Sequence, residues 1–129
     1  MKLQRKFGVM SRMKSGMTLK QGEIVLVPFP FSDLSATKRR PALVISQEGY
    51  NAHEEDIVIC AVTSNLENKS YSVLVRDIDL ISGKLLAVSR IKADKIFTIK
   101  KSKVIKKLAL VSDPTLNKVK DEMIKLFAF

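Results

Sequence analysis

Short apolar segments separated by polar turns run along most of the chain, and this pattern predicts a sheet of short strands. The predicted strands cover residues 23–27, 41–46, 57–63, 71–76, 85–91 and 95–99. Pro41 stands at the start of the second strand, where a missing backbone amide is tolerated. The third strand lacks alternation between apolar and polar positions, so we expect both of its faces to be buried.

The C-terminal segment predicts a helix. Its apolar residues recur at helical spacing, at Leu116, Val119, Met123 and Leu126. Asp113 can cap this helix and Pro114 suits its first position, so we predict a helix over 114–127. The lysine-rich segment 100–107 predicts one further helical turn. Closely spaced short strands with one terminal helix indicate a mainly β fold with a C-terminal helix, built as a small, strongly bent sheet or barrel.

The chain length and composition fit one folded domain with a basic extension. The chain has 129 residues, of which 46% are hydrophobic, enough for one proper core. Residues 1–20 contain only basic charges and show no helical period in their apolar positions. We therefore predict a flexible basic N-terminal arm over 1–20 and a folded domain over 21–129.

The charge balance restricts the classes of partner. Lys and Arg total 23 against 13 Asp and Glu, for a formal net charge of +10. Such an excess favours a polyanionic partner, which leaves nucleic acid, an anionic membrane surface or an acidic protein open. A single cysteine excludes an internal disulfide and a four-thiolate zinc site. The apolar runs are far shorter than a membrane span, so we expect a cytoplasmic protein without membrane association.

Several kinds of catalytic chemistry find no support in the sequence. His53 is the only histidine, so an RNase with one imidazole as acid and another as base is excluded within one chain. Asp77 and Asp79 form a D-x-D that could hold Mg²⁺, although such residues project to solvent just as well. Cys60 lies in an apolar strand and is expected to be an inert core thiol. We expect neither a metal nor a cofactor.

A basic and a hydroxyl-bearing segment remain as candidate chemistry. Arg39 and Arg40 precede Pro41, where a loop becomes a strand, and Thr63 and Ser64 end the third strand. Strand ends of a small barrel converge on one rim, so the two segments could meet there. A guanidinium and a hydroxyl at that rim could bind a phosphate. From the residues alone, a simpler interpretation is that Arg39 and Arg40 are solvated charges of a loop and that Thr63 forms a hydrogen bond within its own turn.

Four segments together resemble the MazF/PemK-type toxins of toxin–antitoxin systems. These are G-E-I-V-L-V-P-F at 22–29, K-R-R-P-A-L-V-I-S at 38–46, A-V-T-S at 61–64 and S-R-I-K-A-D-K-I-F-T-I at 89–99. The resemblance implies an SH3-like β-barrel with a C-terminal helix, usually a homodimer. It also implies a metal-independent endoribonuclease that cuts single-stranded RNA at short sequences and that an acidic antitoxin blocks.

The resemblance also implies roles for particular residues. Arg40 and Thr63 match the positions that carry catalysis in the family. Ser64 would assist Thr63, and loop 32–38 would lie over the RNA. The further residues expected to support the site or contact RNA are Ser35, Lys38, Arg39, Arg90 and Lys92. Ser35 departs from the pattern, because several family members carry a glutamate there that could act as a base.

Two other functions stay open at this stage. A non-catalytic SH3-like module that binds nucleic acid is favoured by Ser35, whereas the pair of Arg40 and Thr63 favours the ribonuclease. A basic module that docks an acidic protein is supported by the net charge alone.

Overall fold

The computed structural model describes residues 18–30 and 37–128. Most of the predicted arm and Ser35 lie outside these ranges. The predicted boundary between arm and domain, at residue 20, stays a prediction. Leu19, which that boundary assigns to the arm, is 2% exposed and packs in the core. The buried amide of Asn51 donates to the Leu19 carbonyl oxygen at 2.8 Å and so fastens this segment to the domain.

The described chain forms one antiparallel sheet with a helix at its C-terminal end, which confirms the predicted fold class. The strands are β1 (Glu23–Pro30), β2 (Thr37–Val44), β3 (Asp56–Thr63), β4 (Ser72–Val75), β5 (Leu80–Gly83), β6 (Ser89–Lys100) and β7 (Lys106–Val111). The helices are α1 (Glu48–His53) and α2 (Asp113–Phe127), with 3₁₀ turns at Asp77–Asp79 and Lys101–Lys103. The strand order is β4-β6-β3-β2-β1-β7-β5, so β3 and β2 lie near the centre.

The third predicted strand is buried on both faces, as its sequence pattern indicates. Ile57 and Ile59 pack on one face with side chains of β1 and β2. Cys60 and Val62 pack on the other face, where Val119 of α2 also lies. The change of face between Ile59 and Cys60 means that β3 contributes to two apolar clusters. It is therefore the strand on which both halves of the core depend.

Several predicted elements differ from the structure. Strand β2 begins at Thr37, so Arg39, Arg40 and Pro41 lie within a strand paired with β1 and not where a loop becomes a strand. The strands predicted at 85–91 and 95–99 are one strand, β6, and residues 84–88 lie outside it. Cys60 pairs with Ile96 and Val62 with Ile91, so a bulge in β6 accommodates the polar residues that suggested a break. The helical turn predicted at 100–107 is wrong beyond the 3₁₀ turn, because β7 occupies its end. The short strand β5 and the helix α1 were not predicted.

Helix α2 is the best predicted element. It spans Asp113–Phe127 and so begins one residue before the predicted start. Ser112, not Asp113, takes the N-cap position, and Pro114 lies in the first turn, where its missing amide costs no helical hydrogen bond. Val119 is fully buried, and Leu116 and Met123 pack against the same cluster. The apolar face of the helix therefore covers the sheet.

Candidate active site

Arg40 and Thr63 lie on neighbouring strands at the same end of the sheet. In the β2–β3 pair, Ala42 is opposite Ala61 and Leu43 is opposite Cys60. The paired residues end at Ala42 and Ala61, and the same register carried two residues further would bring Arg40 level with Thr63, the last residue of β3. Side chains directly opposite in an antiparallel pair share a face, with Cβ atoms about 5 Å apart. The antiparallel register is thus what brings together segments that are distant in sequence.

Two grooves open beside these strand ends in the described part of the chain. The first, which we call the loop groove, has a volume of about 230 Å³ and is lined by Thr63, Asn65, Glu67, Lys69, Lys92 and Lys95. The second, which we call the arginine groove, has a volume of about 490 Å³, and its polar lining is Arg39, Arg40, Ser64, Lys84, Ser89 and Lys106. Arg40 and Thr63 therefore line different grooves, and the Thr63–Ser64 step lies at the boundary between them.

The charges of both grooves suit an anion. Among the described residues, four cationic side chains and no carboxylate line the arginine groove, and its lining includes apolar side chains such as Leu26 and Val62. The described lining of the loop groove has three lysines against the single carboxylate of Glu67. Guanidinium and ammonium groups beside hydroxyls are donors to phosphate oxygens. Such a donor set matches a phosphate ester with an apolar or aromatic part better than it matches a cation.

The Thr63 hydroxyl accepts a hydrogen bond in the turn that follows β3, and its own hydrogen can still be donated. The backbone N–H of Asn65 donates to Thr63 Oγ1 at 3.1 Å. This is the strand-end bond that the simpler interpretation expected. Because the oxygen acts as acceptor in this bond, the hydroxyl hydrogen stays available for a second partner. The turn therefore fixes Oγ1 without using up its donor.

Arg90 and Lys92, both expected to contact RNA, have different surroundings. Arg90 pairs with Thr63 across β3 and β6, and its side chain donates to the Leu66 carbonyl oxygen at 3.3 Å and to Ser72 Oγ at 3.2 Å. Lys92 lines the loop groove. The hydrogen bonds of Arg90 thus run to the protein, whereas Lys92 lines a groove in which a ligand could lie.

The remaining predicted site residues are spread around the rim. Lys38 and Arg39 are exposed on β2, opposite Phe29 and Pro28 of β1. Ser64 is exposed and lines the arginine groove. Ser35 lies outside the described residues. Phe29 packs against the core in edge-to-face contact with Phe97, so its role is structural.

The D-x-D segment stabilises a turn. Asp77 and Asp79 lie in a 3₁₀ turn, not on a strand, and Asp79 accepts hydrogen bonds from the Arg76 backbone and guanidinium at 2.8 and 3.2 Å. Burial acts to raise the pKa of Asp79, but these bonds and the Arg76 charge outweigh it and hold that pKa below its ordinary value. No group of three or more His, Cys, Asp or Glu that could hold a metal occurs within 18–30 and 37–128.

Cys60 and His53 lie apart from the candidate site. Burial, assisted by the Asp94 carboxylate, raises the pKa of the Cys60 thiol to about 12, which agrees with the expected inert core thiol. Oδ1 of Asp94 is itself buried without a hydrogen-bond partner in the described part of the chain. His53 is exposed at the end of α1, and its Nδ1 lies 2.8 Å from the Gly49 carbonyl oxygen.

Sequence reasoning missed several groove residues. Lys84, directly after β5, and Lys106, the first residue of β7, line the arginine groove, and neither strand was predicted. Asn65 and Glu67 line the loop groove, and the Glu67 N–H donates to Asn65 Oδ1 at 3.0 Å. An asparagine two residues before a polar residue is a recognisable turn signal, and the sequence predicts a short turn over 65–69 but not that it lines a groove.

Comparisons with known proteins identify the fold and the family of this chain. A search of curated proteins found no match. A mycobacterial endoribonuclease solved with its cognate antitoxin superposes with a TM-score of 0.72 at 19% identity, over 86% of this chain and 96% of that one. MazF in a MazE–MazF complex from Deinococcus radiodurans gives 0.67 at 23% identity, over 88% and 98%. MazF-mt6 of Mycobacterium tuberculosis gives 0.69 at 17% identity, over 83% and 97%.

These structural likenesses establish the fold. Neither helix of the described residues has the length and apolar character needed to span a membrane. The family itself is established by sequence, because a family model matches residues 20–127, nearly all of the folded domain. The chain belongs to the PemK-like, MazF-like toxin family of type II toxin–antitoxin systems.

Proposed function

We propose that the protein is the toxin of a type II toxin–antitoxin system and cleaves single-stranded RNA at short sequences without a metal ion. The observation that supports this proposal is that Arg40 and Thr63 lie at the same end of the paired strands β2 and β3, each lining one of two adjacent cationic grooves. A strand of RNA that crosses this boundary has its phosphate at the two side chains and a nucleotide in each groove. The solved structures of similar fold include endoribonucleases.

The proposed reaction is an internal transesterification. The ribose 2′-oxygen attacks the adjacent phosphorus, and the bond from phosphorus to the 5′-oxygen breaks. The products are a 2′,3′-cyclic phosphate and a 5′-hydroxyl. Arg40 stabilises the charge that accumulates on the pentavalent phosphorus and assists proton delivery to the departing 5′-oxygen. Thr63 donates its hydroxyl hydrogen to a non-bridging phosphate oxygen, and Ser64 assists from the other groove.

The proton of the attacking 2′-hydroxyl needs an acceptor. Ser35 stands where several family members have a glutamate, and a neutral serine hydroxyl is a poor base at neutral pH. We assign this proton to water at the open rim. The consequence is a slow enzyme whose rate depends mainly on positioning and charge stabilisation, because no strong general base contributes.

Two separate surfaces suit protein partners. Ile78, in the 3₁₀ turn before the edge strand β5, is 77% exposed and Ile81 of β5 is 61% exposed, and we assign these apolar side chains to contact with a second copy of the chain in a homodimer. The cationic grooves suit an acidic antitoxin that would compete with RNA. A substrate of cellular RNA and a buried, free Cys60 agree with a cytoplasmic location.

The test is RNA cleavage in EDTA. Wild-type protein is incubated with a pool of single-stranded transcripts, and the cleaved ends are sequenced and their end groups identified. Arg40→Ala is expected to lose about 10²–10³-fold in rate, as for removal of a donor aimed at developing charge. Lys103→Ala, which removes a charge from the turn outside both grooves, controls for the loss of one cation. Cleavage that EDTA abolishes, or that Arg40→Ala retains, contradicts the proposed mechanism.

A second candidate is a non-catalytic nucleic-acid-binding module. Ser35 favours it, since the chain lacks the base that several relatives carry. This candidate predicts tight, salt-dependent binding of RNA by wild-type protein with no scission at any enzyme concentration. The same incubation therefore separates the two candidates.

A further inference from the structure

The connection between β3 and β4 is ordered by side-chain hydrogen bonds. Residues 64–71 contain no helix or strand. At its start, the Asn65 N–H donates to Thr63 Oγ1 at 3.1 Å, and the Glu67 N–H donates to Asn65 Oδ1 at 3.0 Å. These two turns set the direction in which Asn65 and Glu67 enter the loop groove. The shape of the groove is thus coupled to the candidate catalytic hydroxyl.

Arg90 holds the middle and the far end of this loop. Its Nε donates to the Leu66 carbonyl oxygen at 3.3 Å, and its Nη1 donates to Ser72 Oγ at 3.2 Å. Ser72 Oγ in turn donates to the Lys69 carbonyl oxygen at 2.6 Å. A planar guanidinium can serve two such directions at once, which an ammonium on a flexible stem does not reproduce. The half-buried Arg90 is therefore built into the loop rather than left for a ligand.

The loop groove offers groups that can read a base edge. The Asn65 side chain accepts through its oxygen in the turn, and its amide nitrogen carries two N–H donors on a residue that lines the groove. The Glu67 carboxylate pairs with Lys69 at 3.4 Å, but the two side chains are 63% and 57% exposed, so this ion pair is weak and readily displaced. An amide donor beside a carboxylate acceptor matches the mixed hydrogen-bonding edge of an unpaired base. Lys92 and Lys95 lie on the same groove for the phosphate of that nucleotide.

We propose that the loop groove binds one base next to the cleaved phosphate and that Asn65 and Glu67 select it by hydrogen bonds, with Arg90 as a positioning residue. This inference rests on the proposed ribonuclease function, because it names the part of that site that sets sequence preference. Single-stranded RNA presents splayed bases whose edges such side chains can contact. Arg90 contributes by keeping the loop in one conformation, and it does not contact the phosphate.

Sequencing of cleaved ends tests the two selecting residues. Glu67→Gln exchanges a carboxylate, which only accepts, for an amide that also donates. We expect the base preference at one position of the cleaved sequence to change by at least about fivefold, with the other positions unchanged. Glu55→Gln, whose exposed side chain lies outside both grooves, is the matched control. An unchanged preference in both Glu67→Gln and Asn65→Ala overturns the proposal.

Arg90→Lys tests the positioning role, since it keeps the charge and loses the planar fork. We expect Arg90→Lys and Arg90→Met to relax the preference at that same position to a similar extent. In the free protein, we expect the amides of Asn65 and Glu67 to exchange hydrogen at least about tenfold faster in both variants than in wild type. Retention of preference and protection by Arg90→Lys, with loss in Arg90→Met, shows a charge contact with RNA and overturns the positioning role.

The two proposals fail in distinguishable ways. If wild-type protein cleaves no RNA, the ribonuclease function fails, and the groove is then tested by binding of short single-stranded RNAs that differ at one base. Discrimination among them that Glu67→Gln alters supports the groove as a base site. Equal binding of all of them overturns it. Thermal unfolding of each variant confirms that the comparison is made on folded protein.

Discussion

The two ends of strand β3 have opposite characters. At the first end, Ile57 pairs with Ile99 and Ile59 pairs with Phe97, and both β3 isoleucines are completely buried. At the other end, Thr63 pairs with Arg90 and lies between two grooves lined by cations. The first end is filled by apolar contacts that the sheet itself supplies. The second end carries polar and charged side chains that line the two grooves and can bind a ligand.

A bulge separates these two ends. Between the pairs Cys60–Ile96 and Val62–Ile91, β3 advances by two residues and β6 by five. The extra length of β6 carries Lys92, Asp94 and Lys95, two of which line the loop groove. Bulges commonly redirect side chains next to functional sites. The apolar end of β3 thus contributes mainly to folding stability, and the polar end contributes side chains to the candidate site. Substitutions at the two ends should therefore affect the free energy of unfolding and the rate of RNA cleavage separately.

The largest effect is expected from Ile59→Ala at the apolar end. Removal of a fully buried isoleucine side chain leaves a cavity and costs about 2–5 kcal/mol in the free energy of unfolding. Denaturant unfolding followed by circular dichroism measures this loss. At temperatures where the variant stays folded, we expect its rate of RNA cleavage to stay within a few-fold of wild type. A large loss of activity in folded Ile59→Ala would show that the two ends are coupled.

Thr63→Val is expected to have the reverse effect at the polar end. Valine keeps the shape of threonine and removes the hydroxyl, so the donor to phosphate is lost, which corresponds to about 1.5–3 kcal/mol or roughly a 10–100-fold lower cleavage rate. We expect the free energy of unfolding to change by no more than about 1 kcal/mol. Thr98→Val, an exposed position paired with Val58 at the apolar end, should leave the cleavage rate unchanged. Equal rates for both variants would remove Thr63 from the site.

The apolar end of β3 and the helix α2 could be predicted from sequence, because buried elements require recognisable patterns of apolar residues. The unbroken run from Ile57 to Val62 predicts a strand buried on both faces, and Leu116 and Val119 predict the inner face of a helix. Strands β5 and β7 have no such recognisable pattern of apolar residues. Ile81 points to solvent from a short edge strand, and Lys106 and Lys107 make the start of β7 resemble a polar turn.

The polar end could be predicted only in part. The motifs around Arg40 and Thr63 identify the two candidate residues, and the antiparallel pairing of β2 with β3 places them at the same end of the sheet. The role of Arg90 could not be predicted, because its contact with Leu66 joins residues 24 positions apart in sequence. A basic residue on a strand of a basic protein gives no sign of whether its partner is a phosphate or a carbonyl oxygen of its own chain.

Cys60 lies between the two ends of β3, and the burial of its thiol should make the free energy of unfolding depend on pH. Because its pKa is raised from 9.0 to about 12 in the folded protein, the unfolded chain loses this proton first as the pH rises. The stabilisation is therefore complete below about pH 9 and is lost between pH 9 and 12, at up to about 1.4 kcal/mol per pH unit. The free energy of unfolding should fall more steeply with pH for wild type than for Cys60→Ala. Parallel curves would place the thiol in contact with water.

The smallest effect is expected from removing a single groove charge. Lys92→Gln removes one cation from the loop groove at the polar end, and Lys100→Gln removes one from the same strand opposite Asp56, at the apolar end. If Lys92 contacts a phosphate, its loss weakens RNA binding a few-fold for all sequences and lowers the slope of log affinity against log salt by about 0.7, the value for a single strand. Lys100→Gln should change neither quantity, because its ammonium lies outside both grooves. Titrations of fluorescent single-stranded RNA at several salt concentrations measure both variants. Equal slopes for the two would mean that RNA responds only to the net charge of the protein, and the polar end of β3 would then have no special part in binding.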